Sequence, residues 1–213
     1  MKYFLIKKNI IIIILLLQFI LFFIAIKIGL LYTVDFNVYN YFENFENSNL
    51  YDFFTIFGYL SGEYISVIFV PIIFLLLIKL HFVKDAIFIT LFSCISVIGT
   101  IFLKYTLMVE RPMHSINGLT GYSFPSGHAV LSMLLAISFY ILIKNFITTK
   151  SLNIILVVIL LIYTLLSMLS RIIVGAHWFT DIIGSIYAIL IFYTISFSLF
   201  QRIEKQFNIG VKN

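Results

Sequence analysis

Two histidines, three cations and one aspartate stand out in a chain that is otherwise apolar. Arg171, His177 and Asp181 fall within the twelve residues Ser170–Asp181, S-R-I-I-V-G-A-H-W-F-T-D, between two apolar runs. Charge is costly in or beside lipid, so three ionisable groups at a span boundary point to a use. Asp181 stands four residues after His177. If a helix reaches back that far, the two share a face, and the carboxylate accepts the ring N–H and sets the tautomer. A second histidine, His128, closes the string Pro125-Ser126-Gly127-His128 where another apolar run begins. Pro125 holds the residue before it extended, Ser126 suits an N-cap, and Gly127 lets backbone approach a ligand. A helix start of this kind binds phosphate. Lys104 and Arg111, the latter followed by Pro112, precede it. Three fixed cations and a helix dipole suit an anion with several oxygens. Two histidines add chemistry, because one can attack phosphorus while the other protonates the leaving oxygen.

The elements that must position these residues follow from composition. Of 213 residues, 62% are apolar and 11% charged, far from the balance of a water-soluble domain. About 20 apolar residues cross a hydrocarbon core. Six runs approach that length: Asn9–Leu30, Tyr64–Leu80, Ala86–Tyr105, Gly127–Ile143, Leu152–Leu169 and Ile182–Phe200. None shows sustained alternation, so helices fit better than barrel strands. The first run follows Lys2, Lys7 and Lys8, is longer than a signal-peptide core, and reads as an uncleaved first span. The expected fold is an all-α membrane protein, one domain over residues 1–213. Six transmembrane helices form its bundle, with a short interfacial amphipathic helix between the first and second spans. That helix is read from Tyr32–Glu63, where Val38, Tyr39, Phe42 and Phe45 recur at helical spacing. The lone Cys94 closes no internal disulfide and has no metal-type spacing.

Loop charge sets the expected orientation. With the N-terminus cytoplasmic, Lys2, Lys7, Lys8, Lys79, Lys84, Lys144, Lys150, Arg202, Lys205 and Lys212 all lie inside, ten of the fourteen basic residues. This is the positive-inside pattern, and it accounts for the net charge of +5 without nucleic acid as a partner. Both termini are then cytoplasmic, in a multi-pass protein of the cell (cytoplasmic or inner) membrane. Lys27, Lys104, Arg111 and Arg171 remain outside, against the rule. For Lys104, Arg111 and Arg171 an anionic partner is the explanation. Lys27 reads as a snorkelling lysine, with Glu63 as the alternative partner. His81 and His114 read as solvated loop residues.

Lys104-x6-Arg111-Pro112, Pro125-Ser126-Gly127-His128 and Ser170-Arg171-x5-His177-x3-Asp181 together resemble the three-part signature of the type-2 phosphatidic acid phosphatase superfamily. All three parts are complete, in order, and placed between hydrophobic runs. The resemblance implies roles. His177 would form a phosphohistidine, oriented by Asp181. His128 would serve as acid for the leaving group and then as base for water. Lys104, Arg111, Arg171, Ser126 and Gly127 would hold the phosphate, supported by Pro112, Pro125 and Ser170. No metal and no cofactor would be required. One departure is Glu110 beside Arg111, which either pairs with a nearby cation or tunes which headgroup fits.

The function expected is therefore a metal-independent membrane hydrolase facing outward. It would remove a terminal phosphate from a lipid mono- or diphosphate, with undecaprenyl diphosphate first. Phosphatidylglycerol phosphate, phosphatidic acid and lipid A phosphates are the alternatives. An anionic-lipid binding or transport protein is the reading from another class, and the absence of an inverted repeat or interrupted span counts against it.

Overall fold

The computed structural model describes residues 2–112 and 120–207, residues 2–9 and 11 by backbone only; His114 and Lys212 lie outside the described residues. Every regular element among them is a helix. They are α1 (Lys2–Lys27), α2 (Tyr32–Glu43), α3 (Asn49–Tyr59), α4 (Glu63–Lys79), α5 (Val83–Leu107), α6 (Gly127–Ile143), α7 (Lys150–Ile173) and α8 (Phe179–Phe207). Helices are the outcome lipid demands, since every backbone N–H and C=O must find its partner within the segment. Pro71 sits inside α4, which membrane helices tolerate better than soluble ones.

Four helical stretches are long and apolar enough to cross a bilayer: Asn49–Lys79, Val83–Leu107, Lys150–Ile173 and Phe179–Phe207. A fifth candidate is the pair Ile12–Lys27 and Tyr32–Glu43, bent by 74°. The remaining predicted span, Gly127–Ile143, has 17 residues, about 26 Å at 1.5 Å per residue. It is short because it runs through the middle of the bundle, with α4, α5, α7 and α8 packed around it. Its buried positions include Gly127, Ala129, Ser132, Ala136 and Ser138, small residues that let neighbouring backbones come close. The core between α4, α5, α6 and α8 is built on Ile73, Leu77, Phe92, Val130 and Leu134. The outer faces of α1, α4 and α7 leave Ile13, Leu21, Val67, Ile155 and Ile159 exposed, as lipid-facing positions should be. The chain is a multi-pass membrane protein.

The Tyr32–Glu63 segment departs from expectation in detail. It holds two helices, α2 and α3, parted by Asn44–Ser48, and α3 runs into α4 across Leu60–Gly62. Val38 and Phe42 pack against Ala129, Met168, Ile172 and Ile182. The apolar face of α2 therefore covers the ends of α6, α7 and α8. Sequence spacing shows such a face but cannot say whether lipid or protein meets it.

The ends of the helices divide the charged groups. At the N-terminus of α5 and the C-termini of α6 and α8, Lys84 pairs with Glu204, and Lys144 pairs with Asp85 at 3.1 Å. All the motif residues gather at the opposite ends of these helices.

Candidate active site

Lys104 comes from the last turn of α5, His128 from the first turn of α6, Arg171 from the last turn of α7, and Asp181 from the first turn of α8. Antiparallel neighbours put these four ends on one side. Arg111 and His177 sit on the α5–α6 and α7–α8 connections. A cavity of about 330 Å³ is lined by Lys104, Arg111, His128, Arg171 and His177, with Glu63 from the start of α4. A larger space of about 760 Å³ beside α2 shares Arg111 but contains neither histidine. The smaller cavity is therefore the candidate site.

His177 is buried, with Nδ1 3.3 Å from Asp181 Oδ2. That carboxylate oxygen also accepts from the Trp178 N–H at 2.9 Å, and Ser123 Oγ lies 3.3 Å from the other oxygen. Asp181 is thus held from two sides, and its remaining acceptor capacity faces the imidazole. The geometry assigns the proton to Nδ1 and leaves the Nε2 lone pair toward the cavity. Arg111 Nη1 lies 3.3 Å from that Nε2 and donates to the Ala176 carbonyl at 2.7 Å. Burial pushes the His177 pKa well below the ordinary histidine value, and the charges of Arg111, Lys104 and Arg171 push the same way. A neutral ring with a free lone pair is the form a nucleophile needs.

None of the three cations pairs with a carboxylate among the described residues. Lys104 Nζ spends one donor on the Tyr122 carbonyl at 2.7 Å and keeps two. Arg111 Nε donates to the Gly121 carbonyl at 3.2 Å. Arg171 Nη1 lies 3.4 Å from His128 Nε2, and its buried Nε finds no acceptor among the described residues. Leaving such donors unmet is costly, and an anion with several oxygens would meet them.

The remaining motif residues form the frame. Ser126 Oγ accepts from the Ala129 N–H and caps α6, while the Ser126 N–H donates to Ser185 Oγ at 2.9 Å. Ser126 is fully buried and outside the lining of the cavity. Gly127 is buried with the Glu63 carboxylate against its Cα. Ser170 Oγ donates to the Ser167 carbonyl at 2.7 Å, which is a supporting position. Pro112 and Pro125 are both buried. Trp178 Nε1 donates to the Glu110 carbonyl at 2.8 Å and ties the two motif loops together. The Glu110 side chain is exposed and lines the larger space.

Five contributors escape sequence reasoning. Asp35 on α2 is buried and accepts from the Thr180 N–H at 2.9 Å and the Thr180 hydroxyl at 2.7 Å. It thereby caps the start of α8 one residue before Asp181. Ser123 and Ser185 hold the Asp181 segment; Ser185 Oγ donates to the Asp181 carbonyl at 2.7 Å. Gly58 on α3 leaves room for Arg171, since a Cβ there would stand 2.2 Å from Nη2. Glu63 lies 3.4 Å from His128 Nδ1 instead of pairing with Lys27, whose ammonium sits 5.7 Å from the centre of the Phe23 ring. Only a contact across 145 positions links Asp35 to Thr180, and nothing local in the sequence announces it.

The comparisons with known proteins agree with this geometry. A search of curated proteins gives no significant match. Among solved structures, the chain is similar to the PAP2-type phosphatidylglycerolphosphate phosphatase of Bacillus subtilis, with a TM-score of 0.78 at 19% identity over 90% of this chain and 96% of that one. It is also similar to LpxE of Aquifex aeolicus, with a TM-score of 0.58 at 23% identity over 78% of this chain and 95% of the other. At these identities the likeness establishes the fold. The sequence model of the PAP2 superfamily matches residues 85–204, which hold every motif residue named above. With more than half its length matched, the chain belongs to the PAP2 superfamily.

Proposed function

We propose that this protein is a metal-independent membrane phosphatase that removes a terminal phosphate from a lipid mono- or diphosphate through a phosphohistidine intermediate. The carrying observation is the convergence of three unpaired cations and two histidines on one cavity, with Asp181 behind the His177 ring. In the first step, His177 Nε2 forms the N–P bond as the bond from phosphorus to the leaving oxygen breaks, and His128 gives that oxygen its proton. In the second, water attacks phosphorus, His128 takes its proton, and the N–P bond breaks. Lys104, Arg111 and Arg171 neutralise the charge on the equatorial oxygens, the work a divalent metal performs in other phosphoryl-transfer sites. Ser126 and Gly127 contribute through the start of α6.

The substrate reading is a lipid whose phosphate enters from the membrane surface, with undecaprenyl diphosphate first. The two similar structures are named for other phosphatases, so phosphatidylglycerol phosphate, phosphatidic acid and lipid A phosphates belong in the same assay. The test is phosphate release by purified protein in detergent with EDTA, across these lipids side by side. Turnover of one or more with EDTA present, blocked by orthovanadate, is expected. Dependence on an added divalent metal, or phosphate uptake into proteoliposomes without hydrolysis, would overturn the reading. The orientation has the inward-facing basic residues as its support, and a reporter fused after Asn213 is expected to remain cytoplasmic.

The close approach of α3 to the guanidinium supplies a separate check. In Gly58→Ala, the new methyl group displaces Arg171 Nη2 without touching the histidines. Inhibition by inorganic phosphate is expected to weaken about tenfold, the worth of one hydrogen bond to a charged group. An unchanged inhibition constant would remove Arg171 from the phosphate clamp.

A further inference from the structure

Among the described residues, Glu63 is the one carboxylate on the lining of a cavity otherwise built for an anion. A negative group there repels phosphate, so its place calls for an explanation. Glu63 Oε1 lies 3.4 Å from His128 Nδ1. The approach is built in from both sides by glycines. Gly62 has φ +80, and a Cβ there would stand 2.7 Å from His128 Cδ2. A Cβ on Gly127 would stand 2.5 Å from Glu63 Oε1. The backbone around Glu63 is also fastened to the helices that carry the site. Ser61 Oγ donates to Ser167 Oγ on α7 at 3.1 Å, and Ser66 Oγ donates to the Leu131 carbonyl on α6 at 2.9 Å.

We infer that Glu63 is the positioning residue of His128, forming a second carboxylate–histidine pair opposite Asp181–His177. This rests on the reading of His128 as the general acid. The carboxylate accepts the Nδ1 proton and turns Nε2 toward the cavity, where Arg171 Nη1 lies 3.4 Å away. It also answers an electrostatic problem. The groups around His128 are Arg171 from α7, Lys104 from α5, and Arg111 and His177 from the two loops, with Glu63 the only anion among them on the cavity wall. Glu63 is the group that balances those cations beside the ring. An opposite charge beside it favours the protonated form. The two pairs then do opposite work. Asp181 holds the ring that turns its lone pair toward phosphorus, and Glu63 holds the ring that turns its Nε2 toward the leaving oxygen.

The experiment compares kcat/KM, which reports phosphoenzyme formation, for two esters. A short-chain phosphatidic acid has an alkoxide leaving group that needs a proton; 4-nitrophenyl phosphate has one that does not. In Glu63→Gln, kcat/KM for the phosphatidic acid is expected to fall about 10- to 100-fold and that for the aryl ester less than about threefold. The alkaline limb of the phosphatidic acid profile is expected to move about one pH unit lower. Glu63→Asp, which keeps the charge, is expected to restore part of both. Equal losses on the two esters with an unmoved alkaline limb would reduce Glu63 to a structural residue and overturn the inference. His128→Asn separates the two levels. If it shows the leaving-group bias and Glu63→Gln does not, the inference fails alone. If His128→Asn shows no bias, the general-acid reading fails and takes the inference with it.

Discussion

In His177→Ala, phosphate release from any lipid substrate is expected to fall by about 10⁴-fold or more, the scale set by removing a covalent nucleophile. The residue lines the cavity with Nε2 3.3 Å from Arg111 Nη1, and the other imidazole on that lining among the described residues, His128, belongs to α6. Because His177 is buried, the variant must be shown to fold. Retained thermal stability and retained vanadate binding separate lost chemistry from lost structure. Turnover within tenfold of the unaltered protein would sink the phosphohistidine mechanism. The ring also carries a pH expectation. Its pKa is depressed by burial and by Arg111, Lys104 and Arg171, so it stays neutral where free imidazole, near 6.5, is half protonated. Protonation removes the lone pair, so activity lost through His177 goes as pH falls through the depressed value, below the ordinary histidine range. Nitrogen NMR of histidine-labelled protein in micelles, assigned by the signal missing in His177→Ala, reads this directly. A charged ring at pH 6.5 would contradict it.

The second large effect is expected from Asp181→Asn. The amide keeps the size of the carboxylate and can still accept from the Trp178 N–H, so the helix start is preserved. What changes is the group presented to His177 Nδ1. One atom faces both the Trp178 N–H and the ring, so an amide oxygen kept there accepts from both but, being neutral, no longer stabilises the positive charge that grows on the imidazole as the N–P bond forms. A loss of about 10²- to 10⁴-fold in kcat with little change in KM is expected, the range seen when a triad carboxylate becomes an amide. A rise in KM with kcat unchanged would mean that Asp181 serves phosphate binding and not the nucleophile. Thermal denaturation in detergent should show a smaller difference between these two proteins than between either and Asp181→Leu. That leucine leaves the Trp178 N–H without an acceptor and strips Ser123 of a partner.

How far the sequence reaches is visible residue by residue. The six apolar runs and the ends that carry Lys104, His128, Arg171 and Asp181 were legible because lipid imposes one solution on a long apolar segment, and helix polarity alternates with each crossing. The His177–Asp181 pair was legible because its spacing is local. Asp35 and Glu63 were not. Both read as acids of an outer, amphipathic stretch, yet Asp35 is buried and the half-exposed Glu63 lies beside a site histidine. Asp35 caps α8 at Thr180, and Glu63 reaches His128. No charged partner stands near either in the sequence, and the partners that explain them lie on helices far along the chain.

The sequence by itself determined that this is a helical membrane protein, which residues are candidates for phosphoryl chemistry, and that they gather at one end of the bundle. Those conclusions need only hydropathy, charge and spacings within a turn or two of helix. The tertiary structure decided which groups meet. It gave Trp178 to the bond between loops, the small residues of α6 to the bundle centre, Asp35 to Thr180 and Glu63 to His128. Such pairings depend on how helices pack, and packing is set by the volumes of side chains from several segments at once. No single stretch of sequence carries that information.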